Sequence, residues 1–559
     1  MVTGRKDACQ RLLETLIVEW TNSNFPEVSC DGFQHSSVYA RRPAVTAFIE
    51  WLSSLSFLEA SYWLSSVYAL WSGDLHRQKY AVFFTPPSLT KRLLDDLAEA
   101  GVIFSTSTFI DPACGGAAFL APIAERIRNE LKTLERTDRE IIEHVVQAVH
   151  GTDIDERLCG LSRHFMRIVL RSEIASTGID PAFRISQADS LMELRGQMGR
   201  YDVVVSNPPY RKMTASEVSA AGSEFETVVQ SQPNLYGLFI ALCVKLLRPN
   251  GHAALVTPTS FLTGRYFSRL RQYLARETSI LRIGMVSDRK GIFIDVEQET
   301  ALTILQRCQD LQRRTLVSVV ARDGSYRGVG DCSLSDKGGA WPIPRTESDV
   351  DLLARAQQFP FRLATYGYLV RIGAFVWNRD KRPSFFEHEL KKAKHPNAVP
   401  LIWSSDIGTD GRLKHGNKAK AHIEPNWVDL GTREHNAIIK KPGVVLQRVT
   451  SNDQPKRLVG AVVSPEFVLE HGGFVAENHV VVLEQISEAP LISPEDLVEL
   501  LASYTVDRFF RCMSGSTNVS AYELNQLPLP DPTEVAVITE QRVELNPETN
   551  ITNEAMTLP

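Results

Sequence analysis

The stretch Asp202-Val-Val-Val-Ser-Asn-Pro-Pro-Tyr210 joins an apolar run to an abrupt polar stop. The run reads as a buried strand, and its end falls at the carboxyl edge where open α/β sheets bind ligands. Pro208 and Pro209 fix φ and lack amide donors, so the loop turns carbonyl oxygens outward. The Asn207 side-chain carbonyl and the Pro208 backbone carbonyl could then accept both hydrogens of an exocyclic NH2 group. Holding those hydrogens withdraws the nitrogen lone pair from ring conjugation and aims it at an electrophile. Tyr210 offers a flat face on which a planar group can stack. A proline-closed strand end without chemistry is the plain alternative.

Three more acids follow strand-like runs. Phe109-Ile-Asp-Pro-Ala-Cys-Gly-Gly-Ala-Ala-Phe-Leu120 is a strand, a small-residue turn through Gly115 and a helix start. Small residues there admit a ligand close to backbone, and Asp111 can face a cationic one. In His150-Gly-Thr-Asp-Ile-Asp155, Asp153 is the candidate to take both hydroxyls of a ribose, with Asp155 competing and helix capping as the other use of either acid. Asp189, in Gln187-Ala-Asp-Ser190, stands where an adenine amino group could be read.

Elements that would position these residues are legible between about 80 and 310. Strand candidates at Phe109–Ile110, Val149–Thr152, Tyr201–Ser206 and Ala253–Thr257 alternate with helical stretches Ala118–Leu134, Arg157–Arg171 and Leu235–Leu247. That alternation predicts a doubly wound α/β sheet. A long helical stretch over 118–146 separates the first two strands. Residues 1–76 read as a helical region, with helix-spaced apolar residues in Ala8–Trp20 and Val45–Tyr68. Gly, Ser, Pro and charge crowd residues 322–345, which predicts a boundary there. The expected divisions are thus a catalytic domain at 77–325, a mixed α+β domain at 346–530 and a polar tail at 531–559.

The 559 residues exceed one compact core, and 43% hydrophobic with 23% charged content excludes a disordered polymer or a small disulfide scaffold. Eight scattered cysteines fit free thiols in a reducing compartment, and none pair at zinc-site spacing. No apolar run is long enough to cross a bilayer and the first ten residues lack a secretory apolar block, so a cytoplasmic protein is expected. Net charge is −5, yet residues 361–460 hold 18 Lys and Arg against 9 Asp and Glu. One basic segment in an acidic chain suggests a module facing a polyanion, although a solvated basic surface has the same composition.

Taken in order, Tyr80-Ala-Val-Phe-Phe-Thr-Pro-Pro87, then DPACGGAAFL, GTDID and NPPY, followed by a C-terminal module, the sequence resembles the gamma-class DNA adenine-N6 methyltransferases of restriction–modification systems. The segments Asn234–Phe239 and Leu246–Pro258 strengthen the likeness, which covers about 77–305 and continues more weakly to about 530. The resemblance implies a Rossmann-like catalytic domain that uses S-adenosyl-L-methionine and no metal. It implies that Thr85 helps hold the methionine end, that Asp111, Ala113 and Gly115 line the same pocket, and that Asp153 and Ile154 hold the ribose and border the adenine. Asp189 would read the cofactor's adenine amino group and Pro209 would lie along the cofactor. Asn207 and Pro208 would grip the target N6, while Tyr210 and Phe293 would stack on an adenine rotated out of double-stranded DNA. A cognate restriction endonuclease encoded separately would complete such a system.

Gly116 and Ala117 depart from the family's common DPACGSG form, where Ser and Gly are usual. Both remain small, so the departure bears on cofactor affinity rather than cofactor identity. In the C-terminal module, Val370–Trp377, Gln447–Gln454 and Ser516–Pro530 resemble recognition segments. Arg, Asn and Gln there suit base edges and Lys suits phosphates, with Arg448 and Lys394 as examples. Other readings are a methyltransferase acting on RNA or on protein glutamine through the same NPPY pocket, and a catalytically idle DNA-binding subunit. A fused nuclease is a further one, for which the N-terminal region is short. The Thr-Pro segment and long basic module set the chain apart from the first, and intact Asn207, Pro208 and Tyr210 from the second.

Overall fold

A computed structural model of the chain describes residues 2–71, 84–231, 233–286, 299–308, 314–390, 395–418, 423–450, 454–514 and 518–540. They fall into two compact units, Met1–Phe261 with Tyr266–Gly339, and Leu262–Arg265 with Ala340–Pro559.

The first unit is built on nine strands: β1 (Phe109–Asp111), β2 (Val149–Asp153), β3 (Arg184–Gln187), β4 (Tyr201–Ser206), β5 (Leu247–Pro258), β6 (Thr278–Val286), β7 (Thr300–Arg307), β8 (Arg314–Val320) and β9 (Tyr326–Ser333). Their order is β3-β2-β1-β4-β5-β7-β6-β8-β9. Neighbours from β3 to β5 are parallel, whereas β7 runs antiparallel to both β5 and β6. The expected α/β sheet is therefore present, but mixed rather than parallel throughout. Strand order turns between β1 and β4, the kind of switch point where ligands bind in such sheets.

Burial explains which strands were easy to read. All six residues of β4 are buried, so its sequence shows a continuous apolar run instead of alternation. At the edge, β3 buries only Ile185. The stretch 118–146 is two helices, Leu120–Thr133 and Asp138–Ala148, not one. The break lies at Thr137, whose hydroxyl accepts from the Glu140 amide while the Glu140 carboxylate accepts from the Thr137 amide. Such a capping box contributes about 1 kcal/mol by satisfying orphan donors at a helix start.

The N-terminal helices Val2–Asn24, Pro43–Ser53 and Phe57–Trp71 belong to this same unit. Leu16, Trp20 and Leu64 share one core cluster with Phe165 of the helix Glu156–Val169. The Trp20 and Phe165 rings meet edge to face at 6.4 Å. Beside them Thr21 Oγ1 and His164 Nε2 are 2.9 Å apart, and burial lowers the His164 pKa to about 4, so the ring is neutral at pH 7. Residues 322–345, read as a boundary stretch, include β9, which pairs with β8.

The second unit holds two four-stranded sheets. One is β10 (Tyr368–Ile372), β17 (Val480–Gln485), β14 (Gly443–Gln447) and β15 (Gly460–Val463), paired antiparallel in that order. The other is β11 (Ser384–Phe385), β13 (Trp427–Asp429), β12 (Ala398–Ile402) and β16 (Val475–Ala476). With helices such as Pro494–Leu501 and Tyr504–Met513, it is a mixed α and β assembly. Residues 541–559 of the expected polar tail lie outside the described residues.

Candidate active site

The C-terminal end of β4 delivers Asn207, and both ends of its carboxamide are held. Nδ2 donates to Thr85 Oγ1 at 3.0 Å, and Oδ1 accepts from the Tyr210 hydroxyl at 2.6 Å. The same hydroxyl lies 2.9 Å from the Val256 carbonyl oxygen on β5. Thr85 is buried and begins the turn into the helix Pro87–Glu99, where proline suits the first helical position. Because the amide nitrogen is committed to Thr85, the acceptor end of Asn207 is turned the other way. Burial and the neighbouring Tyr236 push the Tyr210 phenol well above its ordinary pKa, so it stays protonated. The two rings meet edge to face at 5.9 Å.

A cavity of about 600 Å³ opens beside this corner. Thr85, Asp111, Ala113, Gly115, Asp153, Ile154, Asp189, Asn207 and Pro209 all line it. The sequence thus brought nine candidates to one place. Pro208 and Tyr210 do not line it: Pro208 is buried and the Tyr210 ring packs on Tyr236. Phe293 lies outside the described residues.

The cavity's chemistry fits S-adenosyl-L-methionine. Asp111, at the end of β1, is 1% exposed, and its carboxylate accepts from the Ala113 amide at 2.9 Å. Burial raises its pKa to about 8, with the Asp153 charge adding to the rise and the Ala113 amide and Ser206 hydroxyl opposing it. A cation arriving here would relieve that penalty. Asp153 ends β2, and its two oxygens accept from the Gly115 and Asp155 amides at 2.9 Å each, which ties it to the small-residue loop. Burial lifts its pKa to about 6. Asp155 is the helix cap, accepting from the Arg157 amide at 2.9 Å and from the Tyr68 hydroxyl. Asp189 accepts from the Leu191 amide at 3.0 Å and is exposed. Ile154, 48% exposed, gives the cavity an apolar face against which a purine can lie.

The loop itself leaves room for a ligand. Gly115 has φ +50°, and a Cβ there would stand 3.2 Å from the Phe84 ring. Ala117 has φ +60°, a left-handed conformation that costs a non-glycine residue about 1–2 kcal/mol. Acids for a cationic, hydroxyl-bearing ligand, an apolar wall and an open loop are thus assembled at one sheet edge.

Sequence reasoning missed several lining residues. Phe84 and Phe239 supply apolar walls, and Arg211 pairs with Glu217 at 2.8 Å at the rim. That pairing, with the Thr214 amide, lowers the Glu217 pKa to about 2. Thr214-x-x-Glu217 forms a capping box and was visible as a pattern. Among the described residues, no group of three or more His, Cys, Asp or Glu is placed to hold a metal ion, and no helix is long and apolar enough to cross a membrane.

In the second unit, two residues of the segments that resemble recognition elements bond to backbone carbonyls. Gln447 Nε2 donates to the Ile407 carbonyl at 3.0 Å, and Arg448 donates to the Asn478 carbonyl at 2.8 Å. Lys394 lies outside the described residues. Trp377 is 50% exposed at the end of a segment read as a recognition element, and its ring meets Trp403 edge to face at 5.6 Å.

Residues 130–293 match the family model of the Eco57I restriction-modification methylase. The match spans Asp153, Asp189 and Asn207 to Tyr210 and begins after the Asp111 loop. The chain is 25% identical over 464 residues to the type II methyltransferase M.PstI of Providencia stuartii, covering 80% of this chain and 86% of that one. It is 27% identical over 368 residues to the type II methyltransferase M.BsuBI of Bacillus subtilis, covering 62% and 68%. In fold it is similar to the Type IIL restriction-modification enzyme MmeI, solved in complex with DNA, with TM-score 0.56, 12% identity, and 94% of this chain and 81% of that chain covered. With an Eco57I-type methylase domain set on this sheet edge, the chain is a DNA methyltransferase of the restriction–modification type, and S-adenosyl-L-methionine is its methyl donor.

Proposed function

We propose that the methyl acceptor is N6 of an adenine rotated out of double-stranded DNA, and that Asn207 and Pro208 are the groups that hold it. The observation that supports this reading is the fixed carboxamide of Asn207, a residue lining the same cavity as Asp111 and Asp153, its nitrogen bound to Thr85 and its oxygen to the Tyr210 hydroxyl. An amide oxygen and a peptide oxygen at one strand end match the two hydrogens of an exocyclic amine. Accepting both raises electron density on that nitrogen and orients its lone pair.

S-adenosyl-L-methionine, when bound, supplies a sulfonium methyl that is already a reactive electrophile. The protein's part is alignment and exclusion of water. Asp153 and Asp189 would hold the ribose and adenine of the donor against Ile154, and Asp111 would face its cationic end. Pro208 and Pro209 stiffen the acceptor loop so that the nitrogen approaches in line. Tyr210 would turn its ring to the extruded base and offset part of the unstacking cost of about a few kcal/mol. Phe293 is proposed as the second stacking face.

The modification role extends to a cognate endonuclease on a separate chain and to sequence reading by 346–530, with the basic residues near 379–418 against phosphate. Nucleoside mass spectrometry of DNA incubated with the protein and labelled S-adenosyl-L-methionine tests the acceptor. Label in N6-methyldeoxyadenosine is expected. Label in N4-methyldeoxycytidine, the other exocyclic amine product, would overturn the adenine assignment.

A further inference from the structure

We propose that Ser65 and Thr90 hold the amino-acid tail of S-adenosyl-L-methionine, so that the helix Phe57–Trp71 completes the cofactor site. The inference rests on the assignment of the larger cavity to that cofactor.

A second cavity of about 500 Å³ adjoins the first, and Phe84, Thr85 and Ala118 line both. Ser65 and Thr90 are among the residues that line it, each 2% exposed, and neither buried hydroxyl has a hydrogen-bond partner. A helical serine usually escapes that penalty by bonding back to its own helix. Ser66 does so to the Tyr62 carbonyl at 2.8 Å and Ser61 to the Leu58 carbonyl at 2.9 Å. Ser65 does not.

The cofactor loop is shaped around that hydroxyl. A Cβ at Gly116 would lie 2.1 Å from Ser65 Oγ and 3.0 Å from Ser65 Cβ. Gly116 has no positive φ to explain its presence, so space for Ser65 is what the position requires. The hydroxyl that the related DPACGSG loop carries in its own chain is supplied here from the N-terminal helix.

The remaining wall carries charges of both signs. Glu59 and Glu125 line the cavity together with Lys91 and Arg126; both bases pair with Asp95, at 2.9 Å and 2.5 Å, and Glu59 accepts from the Ser56 hydroxyl at 2.7 Å. A simple anion would meet the acids and a simple cation the bases. A zwitterion suits both, and its ammonium and carboxylate would satisfy the two hydroxyls. The junction at Thr85 and Ala118 is where the amino-acid end of a cofactor with its ribose at Asp153 and its cationic end at Asp111 would reach this space.

The test is isothermal titration of the full chain and its Ser65→Ala, Thr90→Val and double variants with two ligands, S-adenosyl-L-methionine and 5′-methylthioadenosine, which lacks the tail. The double variant should lose at least about tenfold in affinity for the first, as expected when hydrogen bonds to charged groups are removed. Its affinity for the second should stay within about twofold, which also reports that the site is folded. Unchanged affinity for the tailed ligand, or equal losses for both, would overturn the proposal while leaving the cofactor assignment standing. Wild-type protein that binds neither ligand would overturn both.

Discussion

The Tyr210 hydroxyl donates to the Asn207 side-chain oxygen at 2.6 Å, so the acceptor proposed for the target amine already receives one hydrogen bond in the ligand-free site. The phenol thus competes with the proposed amine for that oxygen. Tyr210→Phe removes the competing hydroxyl and keeps the ring, and should leave methyl transfer within about threefold of wild type, less than the value of one hydrogen bond. Tyr210→Ala removes the stacking face, which is worth about 1–3 kcal/mol per base. Fluorescence of 2-aminopurine at the target position should then report weaker base capture, with cofactor affinity unchanged. Equal loss of both affinities would place Tyr210 in the cofactor site instead.

Asp111 gives the cofactor site a pH dependence. Burial raises its pKa to about 8, above the ordinary carboxylate value. The folded protein therefore holds a proton that the unfolded chain sheds, and this group's contribution to stability, full below the unfolded value, is lost as pH rises through about 8. A bound sulfonium favours the ionised form, so cofactor affinity should rise from about pH 6.5 to about pH 8.5, by at most about tenfold per unit. Asp111→Asn should flatten the rise. A flat wild-type profile would show that the carboxyl does not face the cation.

Ala117 stands at φ +60°, in a loop where glycine would carry no steric penalty. Ala117→Gly should raise the urea midpoint by an amount worth about 1 kcal/mol. An unchanged or lower midpoint would mean that the alanine methyl, buried in the core cluster, repays its own strain.

Arg379, Lys381 and Lys414 are exposed in the basic segment, with Lys414 paired to Asp410 at 3.0 Å. Reversing all three to Glu should reduce the slope of log affinity for DNA against log salt by about 0.9 for each phosphate that is no longer neutralised. An unaltered slope would remove this face from the DNA interface.

Much of the sheet was legible because burial wrote it in plain form. β4 is buried along its whole length and ends at Asn207, and β1 and β2 end at the acids that line the cavity. Elements with weak patterns were not legible. β3 buries a single residue and showed only as a strand-like run ahead of Asp189, and the break at Thr137 is a two-residue capping signal inside a helical stretch. The sequence favoured Asp153 for the ribose with Asp155 competing and helix capping open to either; in the structure Asp155 is the one that caps the following helix. The approach of Ser65 to Gly116 depends on packing between residues far apart in the chain, and composition carries no trace of it. Gln447 and Arg448 looked like readers by type, yet their hydrogen bonds go to backbone carbonyls of their own unit.

In the proposed mechanism the Asn207 oxygen, set by Thr85, draws the target nitrogen toward the methyl group. Single-turnover transfer of labelled methyl by Asn207→Ala, with cofactor and DNA affinities measured on the same preparation, tests it most directly. Transfer should fall by at least about a hundredfold, the scale for loss of a positioned catalytic hydrogen-bonding group, with both affinities within about threefold of wild type. Transfer at the wild-type rate by the folded variant would contradict it.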